Sequence, residues 1–204
     1  MPLVPNRHSK YLWDTDRRRY VTRQGRVVDP ARVRAEVDRA IDALAGRMGE
    51  LCGRLEARSI TIEQWQTGMR EAMRELHVAA GASARGGWAQ MTHADYGRIG
   101  QRMPDQYRYL RRFAQQLESG EQPMGARFAR RAQMYAEAAR GTHEAMRRQM
   151  EKDAGSAEEM RLLNALESCD ECVLAAGYWA PIGTLPEIGS LTCLSNCKCT
   201  LAYR

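Results

Sequence analysis

Five of the six cysteines in this 204-residue chain fall within one 31-residue window near its end: Cys169, Cys172, Cys193, Cys197 and Cys199. They read as C-x2-C, twenty intervening residues, then C-x3-C-x-C. A C-x2-C knuckle presents two thiolates at one point in space, and a second pair completes a tetrahedron around a soft cation. Cys169 and Cys172 form the first half, and Cys193, Cys197 and Cys199 compete for the second. Four of the five suffice, so the spacing predicts a closed, structural Zn2+ site. A disulfide framework normally pairs an even cysteine set with a secretory signal. Here the cluster is odd, and the opening MPLVPNRHSKYLW has neither an apolar core nor a small-residue cleavage site. Four thiolates also suit an iron–sulfur cluster, but nothing in the sequence argues for redox work.

No other group of residues assembles a chemistry. His8, His77, His93 and His143 stand far apart, and single helical histidines are ordinarily packing or surface residues. Glu71 and Glu75 share a helix side with Arg70 and Arg74 and read as a solvated face. Gly86-Gly87-Trp88 lacks the Gly-Lys-Ser/Thr of a phosphate loop. Gly97 and Gly100 are too sparse for a dinucleotide turn without a strand before them. The expectation is a non-enzyme.

The elements that must carry the cysteines are helical. Asp29-Pro30 is an N-cap followed by a proline at the first helical position. Val33, Val37, Ile41, Leu44, Met48, Leu51 and Leu55 then repeat at spacings of three and four. Cys52 sits beside this stripe and reads as a buried or half-buried thiol rather than a reactive one. Thr61 caps a second helix through Trp65, Met69, Met73 and Leu76, which Gly86-Gly87 ends. A third helical stretch runs from Thr92 to Leu117, with Pro104 expected to start a new helix within it. A fourth is expected from Pro123 or Met124 to Lys152, and a short helix from Glu158 to Leu166. Tyr178, Trp179, Ile182, Leu185 and Ile188 are the candidates for a small core over the metal. The fold class is therefore mostly α: a bundle of four to five helices with a small C-terminal zinc-binding knuckle. Its parts are a basic N-terminal arm (1–28), the helical bundle (29–157) and the cysteine-rich module (158–204).

Charge is uneven along the chain. Its net +6 divides into +5 over residues 1–28, −1 over 29–83, +6 over 84–150 and −4 over 151–204. Asp14, Asp16 and Arg17-Arg18-Arg19 read as a solvated arm. Arg111, Arg112, Arg127, Arg130, Arg131, Arg147 and Arg148, with Tyr107, Tyr109 and Tyr135, read as a basic face suited to a polyanion or an acidic protein surface, although a bundle surface would look the same. No run of about 18 apolar residues exists to cross a membrane.

The terminal stretch CDECVLAAGYWAPIGTLPEIGSLTCLSNCKCTLAYR resembles the C-terminal block of tailed-phage head morphogenesis proteins, the Mu F-like or minor head protein group. In that block a C-x2-C is followed by a loop and an N-C-[RK]-C ending, matched here by Asn196-Cys197-Lys198-Cys199. The resemblance covers the last 36 residues and extends more loosely over residues 86–140. One position departs from it. The usual His three residues before the C-x-C is Leu194, and Cys193 lies one residue earlier. Membership implies a virion component of head assembly or the head–tail region, made in the host cytoplasm. It implies contact with portal, capsid or neck proteins, DNA nearby, and room for homo-oligomerisation. The alternative is a small zinc-stapled DNA-binding or regulatory protein.

Overall fold

A computed structural model describes residues 3–5 and 10–204. The molecule is mostly helical. Helix α1 (Pro30–Glu56) begins where Asp29 accepts a hydrogen bond from the Ala31 amide, and it buries Val33, Val37, Ile41, Leu44, Met48, Cys52 and Leu55 along one stripe. Helix α2 (Ile62–Arg85) opens with a reciprocal box between Thr61 and Gln64 and stops at Gly86, whose φ of 90° is left-handed. Helices α1 and α2, with α3 (His93–Glu118), α4 (Ala126–Glu137) and α5 (Ala139–Asp153), enclose one apolar core. At its centre Trp65, Phe113 and Phe128 meet with ring centroids 5.3–5.6 Å apart, within the range of favourable aromatic pairs.

Three expectations about the helices change. Pro104 does not start a helix but lies inside α3. The buried stripe of Ile99, Met103, Leu110, Phe113 and Leu117 resumes beyond it, with Tyr107 half-buried against the same core in between. Packing of that stripe outweighs the roughly 3 kcal/mol a mid-helix proline costs. The single helix expected to end at Lys152 is divided at Ala138, where the Gly141 amide bonds back to the Ala138 carbonyl. There the backbone passes so close to the loop at Ile188 that a Cβ on Gly141 would sit 2.7 Å from the Ile188 carbonyl oxygen. The segment read as a helix from Glu158 to Leu166 instead opens as a strand, β4 (Glu158–Leu162), and continues as loop.

The arm is also corrected. Strands β1 (Leu3–Pro5), β2 (Leu12–Asp14) and β3 (Arg19–Val21) form an antiparallel sheet in that order. Asp14 is fully buried, and its Oδ1 accepts from the Asp16 and Arg17 amides, which turns the chain between β2 and β3. Tyr11, Trp13, Tyr20 and Val28 pack on Val33 and Met150, and the Tyr20 hydroxyl donates to the Ser83 carbonyl at 2.6 Å. A Cβ on Gly86 would lie 2.1 Å from the Trp13 ring. Arg17, Arg19, Arg23 and Arg26 remain exposed on this folded layer. Arg7 and His8, also assigned to the arm or weighed as candidates, lie outside the described residues.

Strand β4 (Glu158–Leu162) is the middle of a second sheet, ordered β5 (Ala180–Pro181), β4, β6 (Thr200–Tyr203), all antiparallel. Helix α6 (Asp170–Leu174) precedes β5.

Two outcomes test this packing. Trp13→Ala should cost about 3 kcal/mol and lower Tm by about 10 °C in thermal unfolding followed by circular dichroism. A solvated arm would leave Tm unchanged. His77 is buried, its Nδ1 lies 2.7 Å from the Thr142 hydroxyl, and burial, with Arg102 nearby, pushes its pKa down to about 4. The unfolded ring takes up a proton near pH 6.5, whereas the folded ring waits until about 4. The stability that His77 contributes is thus complete above pH 6.5, falls through the window from 6.5 to 4, and loses about 3 kcal/mol across it. Denaturant midpoints of His77→Gln should lack that part of the acid slope.

Candidate metal centre

The five clustered cysteines come together from three short pieces of chain. Cys169 occupies the N-cap of α6, and Cys172 lies inside that helix. Cys193 and Cys197 flank a single 3-10 turn at Leu194–Asn196, opened by the left-handed φ of 45° at Leu194. Cys199 directly precedes β6. The sulfurs form two overlapping groups, Cys169/Cys172/Cys193 and Cys172/Cys197/Cys199, within each of which all Sγ atoms lie within 4.8 Å of one another. Cys172 belongs to both. Its Sγ is 3.6 Å from that of Cys193 and 3.9 Å from that of Cys197. Metal–sulfur bonds of about 2.3 Å in a tetrahedron separate sulfurs by about 3.8 Å, so these spacings suit a thiolate-bound cation. All six cysteines are unbridged. The donor set could hold a metal ion.

Electrostatics within the group are uneven. Burial pushes the thiols of Cys172 and Cys199 up, and that of Cys193 up to about 12. Hydrogen bonds led by the Cys172 amide hold Cys169 below the usual thiol range. Cys197 is held low against its burial by the amides of Cys199 and Gly189 and by neighbouring thiols. Crowded thiols of this kind ionise together only around a cation, and binding one expels their protons.

A small core supports the site. Ala180, Leu185, Ile188 and Leu201 are buried against Cys172, Cys197 and Cys199. Leu185 and Ile188 therefore take the places expected of them. Trp179 is half-buried beneath the Arg204 guanidinium, 4.4 Å from its centroid. Tyr178 is exposed and Ile182 half-buried. The Asn164 side-chain amide ties the ends together, donating to the Lys198 carbonyl and the Thr200 hydroxyl. Cys52 stands apart in the core of the bundle, where burial raises its thiol to about 11.

The module is joined to the bundle through buried charge. Glu159 on β4 is fully buried, pairs with Arg148 of α5 at 2.7 Å and accepts from the Leu185 amide at 3.1 Å. Glu144 of α5 is held in the carboxylate form against its burial by Arg147, His143 and the Leu201 amide. Arg102 of α3 reaches Glu187 at 2.6 Å. Arg161, on the same inward face of β4 as Glu159, approaches the cysteines directly: its Nη1 is 3.6 Å from Cys172 Sγ. Sequence reasoning passed over Glu159 and Arg161. The available signal was that Arg161 is the only arginine between Arg148 and Arg204.

No protein-family model matches the chain, and neither curated proteins nor solved structures yield a match. Among the described residues no helix is long and apolar enough to cross a membrane.

Cys172 is common to both sulfur groups, so Cys172→Ser should reduce bound metal, measured by elemental analysis, to below about a tenth of an equivalent. Cys52→Ser should retain the wild-type metal content. Equal loss from both would place Cys52 among the ligands.

Proposed function

We propose that this chain is a structural or morphogenesis component of a tailed-phage particle, a minor head or head–tail protein acting by protein–protein contact. One observation carries the proposal: the terminal block in which Cys169-x2-Cys172 is followed by Asn196-Cys197-Lys198-Cys199. Its metal is zinc, held by four of Cys169, Cys172, Cys193, Cys197 and Cys199, because all-thiolate tetrahedral sites of this spacing suit Zn2+ and leave no open position for a reacting water. The role is structural.

Two surfaces suit the proposed contacts. Leu162, Leu163, Leu166, Val173 and Leu174 are exposed on the module. The segments that carry Leu162 and Leu174 run close by, because Ala176 and Gly177 pair with Arg161 of β4. Exposed large apolar side chains suit a protein-binding surface where they form one patch. On the bundle, Arg108, Arg111 and Arg112 of α3 and Arg127 and Arg130 of α4 are exposed, Arg108 lying over the exposed Tyr109 ring. They would meet the phosphates of packaged DNA without reading its sequence. The partners are portal, capsid or neck proteins, met in the host cytoplasm during assembly and retained in the virion.

Mass spectrometry of purified particles should find the chain, and Leu166→Asp with Leu174→Asp should reduce its incorporation at least fivefold while leaving its folding intact. Particles free of the chain, together with tight binding of one operator sequence at physiological salt, would establish the DNA-binding regulatory alternative instead.

A further inference from the structure

The other arginines sunk into this structure each meet a carboxylate. Arg85 pairs with Asp95 at 2.6 Å, Arg140 with Asp38 at 2.8 Å and Arg148 with Glu159 at 2.7 Å. Arg161 is more deeply buried than any of them, at 1% exposure. Among the described residues it has no carboxylate partner. Its Nη2 donates to the Pro186 carbonyl, its Nη1 to Cys172 Sγ, and its Nε is buried with no partner. A guanidinium keeps its proton in proteins, and an uncompensated buried charge is strongly disfavoured. The sulfur that it contacts, Cys172 Sγ, can carry negative charge, and Cys199 Sγ lies within 4.8 Å of that sulfur. Four thiolates around a divalent ion leave two net negative charges in a largely buried site. Each side thus lacks a counter-charge that the other has.

We infer that Arg161 is the built-in counter-charge of the metal centre: it neutralises part of the negative charge on Cys172 and Cys199 and so makes these two permanent ligands. The inference rests on the metal reading above. It also divides the five cysteines. Cys172, Cys197 and Cys199 form the buried half, anchored by Arg161, while the half-buried Cys169 and Cys193 compete for the remaining position. Arg161 is a positioning residue, acting on the ion only through the sulfurs it contacts.

The full chain, as wild type, Arg161→Gln and Arg161→Lys, tests this with Zn2+ in competition against a chromogenic chelator and with Co2+ as an optical probe. Arg161→Gln should bind Zn2+ about 10- to 100-fold more weakly, the range seen when groups outside a metal's ligands are lost. Its thiolate-to-Co2+ charge-transfer band should also shift. Arg161→Lys retains the charge and should stay within a few-fold of wild type. Far-UV circular dichroism at saturating metal should be the same for all three. Wild-type affinity and an unshifted band in Arg161→Gln overturn the role of Arg161 while leaving the metal reading intact. Equal weakening by Gln and Lys overturns the charge argument. A wild-type chain that takes up neither ion overturns the metal reading itself.

Discussion

Cys172 Sγ lies where two sulfur groups meet, within 4 Å of Cys193 and Cys197, and the C-terminal module depends on that convergence. The module's own apolar core is small, with Leu185, Ile188 and Leu201 its largest fully buried aliphatic side chains. A core of that size does not hold some forty residues of loop, two-residue strand and single-turn helix in one arrangement. Five thiols converging from three chain pieces supply the missing constraint once a cation joins them, because the free energy of coordination is then free energy of folding. The local backbone is shaped to this end: a short helix starting at Cys169, a left-handed residue at Leu194, and a strand leaving Cys199.

The same convergence reaches the bundle through the inward face of β4. Glu159 and Arg161 alternate on that face, one directed at Arg148 of α5 and the other at Cys172. Buried ion pairs add little net stability compared with apolar packing, but they penalise every arrangement that separates the partners. Glu144, fixed by Arg147, His143 and the Leu201 amide, acts in the same way on β6. The bundle and the module therefore meet in one register. The exposed leucines of the module and the exposed arginines of α3 are thereby held in fixed relation.

At the opposite end of the chain the N-terminal sheet seals the bundle. Trp13 lies on the backbone at Gly86, a position that left-handed geometry and the nearness of the ring both reserve for glycine. The positive charge of this segment survives at Arg17, Arg19, Arg23 and Arg26, carried on a folded layer rather than a free arm.

How much of this was legible follows from where the information resides. The cysteine spacing identified all five clustered thiols, since ligand spacing is a local property. The stripe from Val33 to Leu55, the caps at Asp29 and Thr61, and the stop at Gly86 were likewise readable, because a helix is specified by residues three and four apart and by its ends. Tertiary contacts decided the rest. Pro104 stays within a helix because the stripe on both sides of it is buried in one core. Asp14 and Tyr20 leave solvent because α1, α2 and α5 offer them a surface. Residues 158–162 form a strand whose inward positions are charged, Glu159 and Arg161, and binary patterning reads such positions as exposed. Their partners, Arg148 and Cys172, lie eleven residues away in the chain on either side, and only folding makes burying those charges favourable. The sequence by itself determined which atoms could bind a metal and which helices would form; the tertiary structure decided which charges would be buried around them, because a buried charge is tolerated only where a distant partner has been brought to meet it.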